Sequence, residues 1–256
     1  MKEDSIDKSP PRWSRQSTWR VRFGWGPSDL RAIVADHVVV VDVFRFTTAV
    51  DAAVAQGASV FPYRWKDKTA ANFANSLNAV LADGSDAAGP SLSPIRLSNL
   101  QRGDRVVLPS PNGSTCAAVA AELGAASVVA ACLRNAQSVA RWLRDQGGSV
   151  AVVACGERWA DGSLRPALED HLGAGAVVSA LDGSRSPEAE AAAALWDSFA
   201  PDVARLLRAT ASGQELEARG WSDDLRFACE VGASSCVPVL RDGAFTNAAQ
   251  MSTRLL

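Results

Sequence analysis

The stretch Val38-Val39-Val40-Val41-Asp42-Val43-Phe44-Arg45-Phe46-Thr47-Thr48 decides the fold. Four consecutive valines lack the apolar-polar alternation of a strand with one wet face, so the run reads as a parallel strand buried on both sides. It ends on a carboxylate, and a helix pattern follows to about Gln56. The same plan recurs twice downstream. Val106–Leu108 leads into Pro109–Thr115 and a helix to about Leu123, and Val150–Ala154 leads into Cys155–Arg158 with a helix from about Pro166 to Leu181. Shorter strands are expected at Ser59–Tyr63, Ser127–Ala131 and Val237–Leu240, with helices near Thr69–Leu81, Ala136–Gln146, Pro187–Leu206 and Gln214–Arg219. Strands that alternate with helices predict an α/β fold, a three-layer α/β/α sandwich whose sheet is mostly parallel, with a mixed sheet left open.

Residues 1–17 carry Pro, Ser and alternating charge without periodicity and read as a disordered tail. Folded character is clear from Ser28 onward. Residues 18–256 are assigned to one α/β domain, with two intimately packed lobes as the alternative. Asp83–Pro94 (DGSDAAGPSLSP) has loop composition and either covers a site or simply connects.

The formal net charge of −2 excludes a surface built to neutralise a nucleic-acid backbone. No apolar run approaches the roughly 20 residues of a membrane span. The opening MKEDSIDKSPPRW is polar and acidic where a secretion signal is basic and then apolar. Cys116, Cys132, Cys155, Cys229 and Cys236 form an odd set without C-x-x-C spacing, as expected of reduced thiols. These features together predict a cytoplasmic protein with no membrane and no nucleic-acid partner, and leave a homodimer open.

In parallel sheets ligands gather beyond the carboxyl ends of strands, where loops and helix N-termini converge. Asp42 stands at such an end, where a metal or a cation would offset the cost of a buried carboxylate. Arg45 offers a two-pronged phosphate ligand, and Thr47 and Thr48 offer hydroxyls and amides at a helix start. The plainer alternative pairs Asp42 with Arg45 and leaves Thr48 as a cap. Asn112-Gly113-Ser114-Thr115 at the second strand end suits an anion nest, or a plain turn and cap. Cys155-Gly156-Glu157 follows the third strand, and Glu169-Asp170-His171 begins the next helix, where one of the two carboxylates is expected to face the site and the other to be solvated. A cysteine nucleophile needs Arg six residues on to cradle phosphate. That position is Asp161, so Cys155 reads as packing. His171 reads as an acid or base, a surface residue or a cap, and His37 as structural. With those two histidines, a histidine-rich zinc site is nearly excluded.

Taken together the loops resemble the 2-phosphosulfolactate phosphatase family. The Asp-x-x-Arg-x-[ST]-[ST] motif is matched by Asp42, Arg45, Thr47 and Thr48, and the Asn-Gly-[ST] element by Asn112 to Thr115. Cys155-Gly156, Leu168-Glu169-Asp170 with Ala174-Gly175, Asp224-Leu225-Arg226-Phe227-Ala228-Cys229, Val237-Pro238 and Gly243 follow in family order. The resemblance implies a Mg²⁺-dependent hydrolysis of a small phosphate monoester, 2-phosphosulfolactate, to sulfolactate and phosphate, on the route to coenzyme M. On that basis Asp42, Arg45 and Glu157 are the catalytic candidates. Asp42, Glu157, Glu169 and Asp170 are the metal candidates. Thr47, Thr48, Asn112, Gly113, Ser114, Thr115 and Gly156 are the phosphate-binding candidates. The segment Asp83–Pro94 departs from the family, where a Gly-Glu-Arg-rich stretch and Asn-Ser-Pro are usual and here only Ser93-Pro94 survives. The alternatives are an inactive relative that binds a small anion, and a phosphatase for a different small phosphorylated hydroxy acid.

Overall fold

A computed structural model describes residues 10–84 and 89–248. In it the valine run lies in strand β2 (His37–Val41), and its four valines are fully buried. Val39 and Val41 join a core under the helices Ala136–Gln146, Leu168–Ala180 and Pro187–Phe199. Val38 and Val40 face the opposite core with the helices Gly26–Ile33, Phe46–Ala55 and Gly113–Glu122. Both faces of the strand are covered, which is why no polar residue interrupts the run.

The other strands are β1 (Val21–Trp25), β3 (Ser59–Tyr63), β4 (Val80–Leu81), β5 (Arg105–Pro109), β6 (Ser127–Ala131), β7 (Val150–Ala154), a small ribbon of β8 (Glu157–Arg158) with β9 (Leu164–Arg165), β10 (Pro238–Arg241) and β11 (Ala244–Asn247). Among the described residues nine of the eleven strands, β2 included, form one sheet in the order β1-β7-β2-β6-β10-β11-β3-β5-β4. The neighbours β1, β7, β2 and β6 run parallel, as do β3, β5 and β4. Between the blocks lies the antiparallel hairpin β10–β11, bridged to β6 by Val239–Val129 and to β3 by Phe245–Val60. The helices Phe46–Ala55 and Gly113–Glu122 pack against strands of both blocks. The result is an α/β structure with a large, mostly parallel, mixed sheet flanked by helices.

Ser59–Tyr63, Ser127–Ala131, Val150–Ala154 and Ala136–Gln146 fall where the sequence predicts them. The helix expected over Thr69–Leu81 stops at Ser76, because Asn78 takes a left-handed φ of 49° and the chain turns into β4. The helix expected over Pro187–Leu206 is interrupted at Ala200–Asp202, where Pro201 lacks the amide that would continue it. Strand β1, absent from the sequence reading, lies upstream of Ser28. Within the expected tail, residues 1–9 lie outside the described residues, whereas Gln16 clasps the strand, donating from Nε2 to the Phe23 carbonyl (2.8 Å) and accepting from its amide (3.0 Å). No described helix is long and apolar enough to cross a membrane.

Candidate active site

The loop after β2 is folded around Asp42. Its Oδ1 accepts from the Phe46 amide at 3.1 Å and its Oδ2 from the Gly113 amide at 3.0 Å, so one carboxylate joins the first turns of two helices. Such a contact needs glycine at 113, since a Cβ there would stand 2.1 Å from Phe46 Cδ1 and 2.8 Å from Asp42 Oδ2. Asp170 makes a matching link, accepting from the Val43 amide (2.7 Å) and the Gly156 amide (2.8 Å) and thereby tying the ends of β2 and β7. Gly156 has φ +65° and no room for a side chain, which explains its place in the turn.

Glu157 accepts from Asn112 Nδ2 at 2.9 Å, so the loops after β5 and β7 meet as well. Asp42, Asp170 and Glu169 are almost wholly buried, and Glu157 is half-buried. Burial is the main force that pushes Asp42 up to about 6, with the Glu169 charge adding to it, while the two amides and the Lys66 charge pull it down. Burial, then Asp42 and Glu169, push Glu157 up to about 7. Glu169 rises through burial, and Asp170 rises well above the usual carboxylate range through burial and its three acidic neighbours. The four side chains therefore share one acidic pocket.

Beside this pocket opens a cavity of about 820 Å³, lined among others by Arg45, Lys66, Ser93, Pro109, Trp221 and Asp224. Arg45 donates from Nη1 to Asp224 Oδ2 at 2.6 Å, and its Cζ lies 3.9 Å from the centre of the Trp221 ring. Ser93 donates to the other oxygen of Asp224. Lys66 belongs to both regions, since it lines the cavity and its charge reaches Asp42.

A family model described as 2-phosphosulpholactate phosphatase matches residues 27–243. The chain is 31% identical over 212 residues to a protein of Gloeobacter violaceus named "Probable 2-phosphosulfolactate phosphatase", covering 79% of this chain and 87% of that one. It is 32% identical over 214 residues to the protein of that name from Thermus thermophilus, covering 80% and 88%. It is 33% identical over 152 residues to the "2-phosphosulfolactate phosphatase" of Methanothermobacter thermautotrophicus, covering 59% and 62%. This chain belongs to the 2-phosphosulfolactate phosphatase family.

Of the residues that the family resemblance selects, Asp42, Glu157, Glu169 and Asp170 come together, joined by Asn112, Gly113 and Gly156. Arg45 faces the cavity instead, and its partner is Asp224, not the Asp42 of the plainer reading. Glu169 and Asp170 are both buried, contrary to the expectation that one is solvated, because the first turn of their helix is covered and Asp170 bonds two main-chain amides. The hydroxyls of Thr47, Thr48, Ser114 and Thr115 donate to the carbonyls of Asp42, Val43, Leu108 and Pro111. What this end of the Gly113–Glu122 helix offers an anion is the first-turn amides of Ser114 and Thr115, which a helix leaves without an internal partner.

Cys155 is buried and its thiol is pushed well above the ordinary range, chiefly by burial, in keeping with packing. His37 Nδ1 lies 2.7 Å from Ser127 Oγ, a structural pair. His171 is neither exposed nor at the site. It stacks on Phe23 with ring centres 5.0 Å apart. All four metal candidates are carboxylates, an oxygen donor set that fits a hard divalent cation such as Mg²⁺ and offers nothing to a soft one. Among the described residues no three such side chains converge closely enough to hold an ion as they stand, so binding one means drawing them together. Lys66 and Trp221 carried no signal in the sequence, whereas Ser93 and Asp224 lay inside motifs quoted for the family.

Proposed function

We propose that this protein is a Mg²⁺-dependent phosphatase that hydrolyses 2-phosphosulfolactate to sulfolactate and inorganic phosphate in the cytoplasm. The observation that carries the reading is the placement of Arg45 and Lys66 in a ligand-sized cavity alongside a cluster of three buried carboxylates and the half-buried Glu157 at one end of the sheet. Arg45 grips two phosphoryl oxygens through its planar fork, and Lys66 adds a mobile point charge. The first-turn amides of Ser114 and Thr115 take up further negative charge. Mg²⁺ held by Asp42, Glu157 and Glu169, when bound, supplies charge neutralisation at the phosphoryl group. Asp170, with both oxygens on main-chain amides, keeps the loops in register beneath them. Burial and its acidic neighbours raise the Glu157 carboxyl, a cost that a bound cation would offset, so Glu157 serves as a ligand on the loop that Asn112 holds.

Phosphate release from 2-phosphosulfolactate, measured with Mg²⁺ and with excess chelator, tests this reading. Release that needs Mg²⁺ supports it, and no release under either condition overturns it. A second reading, a phosphatase for another small phosphorylated hydroxy acid, is favoured by one observation. Asp83, Gly84 and Ser91 to Ser93, from the segment that departs from the family, line the cavity wall. A parallel screen of phosphorylated hydroxy acids decides between the two by relative kcat/KM.

A further inference from the structure

We propose that Asp224 is a positioning residue that fixes the plane of the Arg45 guanidinium so that its free edge meets a phosphoryl group. This inference rests on the phosphatase reading above. Arg45 projects from the loop after β2, and nothing on its own loop holds its end group. The restraint comes from segments far away in sequence. Asp224 Oδ2 takes Nη1 at 2.6 Å, and Trp221 places its ring 3.9 Å from Cζ, so the guanidinium is held at one corner and along one face. The side chains of the pair are 10% and 5% exposed, low enough that water competes weakly for the contact.

Asp224 is itself held. Ser93 donates to its second oxygen, which removes the rotation that a carboxylate with one free oxygen would keep. Among the described residues Nε and Nη2 of Arg45 make no hydrogen bond, and Arg45 lines the cavity. An arginine gains little from its fork if the plane can spin about the last side-chain bond. Fixing that plane before the ligand arrives removes an ordering cost at binding and holds the two remaining donor groups ready for two oxygens. A purely structural ion pair would need neither the bond from Ser93 nor two unengaged donor groups on a residue that lines a cavity.

The test is a double-mutant cycle read by calorimetric titration of inorganic phosphate into the Mg²⁺-supplemented protein. The four proteins are the wild type, Asp224→Asn, Arg45→Lys and the double variant, each melted to show that it is folded. Asp224→Asn should weaken phosphate binding about tenfold, because the fork loses its fixed plane. In the Arg45→Lys background the same change should weaken binding less than about twofold, since a lysine has no plane to fix. Equal weakening in both backgrounds, or none in the first, overturns the positioning role, as does a wild type that binds no phosphate. If Asp224→Asn does not fold, Ser93→Ala frees the second oxygen of Asp224 and lets the carboxylate turn, and it is judged by the same two criteria. Turnover of 2-phosphosulfolactate by the wild type separates the two ideas. Binding without hydrolysis sinks the phosphatase reading and leaves the cycle standing, whereas hydrolysis with an additive cycle sinks only the role of Asp224.

Discussion

Asp42 serves two purposes, and a single substitution disturbs both. Its charge belongs to the acidic pocket, and its two oxygens accept the amides of Phe46 and Gly113. Asp42→Asn removes the charge but also turns an NH₂ group toward one of those amides, a donor facing a donor. We therefore expect turnover per folded molecule to fall by orders of magnitude and stability to fall by about 1–3 kcal/mol, the usual cost of an unsatisfied buried donor. Thermal melts and rates on the same preparations check both parts, and a variant with normal turnover per folded molecule would remove Asp42 from the chemistry. Cys155 is the contrasting case. It is buried among the same loops with its thiol pushed up, so Cys155→Ser should keep most of the activity, and a loss of several orders of magnitude would reinstate a thiolate nucleophile.

The site depends on a helix start approaching a strand end more closely than any side chain permits. Gly113→Ala would bring a Cβ within 2.1 Å of Phe46 Cδ1 and 2.7 Å of its Cγ. Both helices are packed into the core, so neither recedes freely, and the variant should lose about 1–3 kcal/mol, read from denaturant unfolding. Among the elements, those fixed by local pattern were legible in the sequence. Ser127–Ala131, apolar after its first residue, and Val150–Ala154, apolar throughout, are returned by the structure at the same bounds. Strand β1 was illegible because Arg22 and Gly24 break its pattern. Arg22 is buried all the same, since its guanidinium reaches the carbonyls of Trp19 and Val34 at 3.2 and 2.5 Å. The strand is held by pairing with Val150–Ala154, far along the chain, which no local window can see. The site followed the same division. The sequence pattern selected the strand-end residues Asp42, Asn112, Gly113 and Glu157, and the structure joins Asp42 to Gly113 and Asn112 to Glu157 by hydrogen bonds. Lys66 and Trp221 enter only because the fold brings their loops to the cavity.

At the scale of the molecule the acidic pocket links stability to pH. A carboxyl whose pKa is higher in the folded chain than in the unfolded one holds its proton longer when folded, so its contribution to stability declines as the proton leaves. For Asp42 and Glu157 the decline runs from the ordinary carboxyl range, about 4, up through about 6 and about 7 respectively. Added Mg²⁺ should oppose it above that window, because a bound cation favours the charged pocket. Melting temperatures at pH 5 and pH 8, with and without Mg²⁺, should therefore show a larger stabilisation by the metal at pH 8. Equal shifts at the two values would detach the pocket from metal binding. The ribosome delivers the chain from its N-terminus. The hairpin β10–β11 joins the two parallel blocks, yet its residues emerge after every other strand of the sheet. Until then the edges of β6 and β3 have no neighbour, and unpaired edges invite pairing between chains. A nascent chain arrested just before Pro238 should accordingly be a chaperone client, and release of a chain truncated there should yield aggregates in place of monodisperse protein.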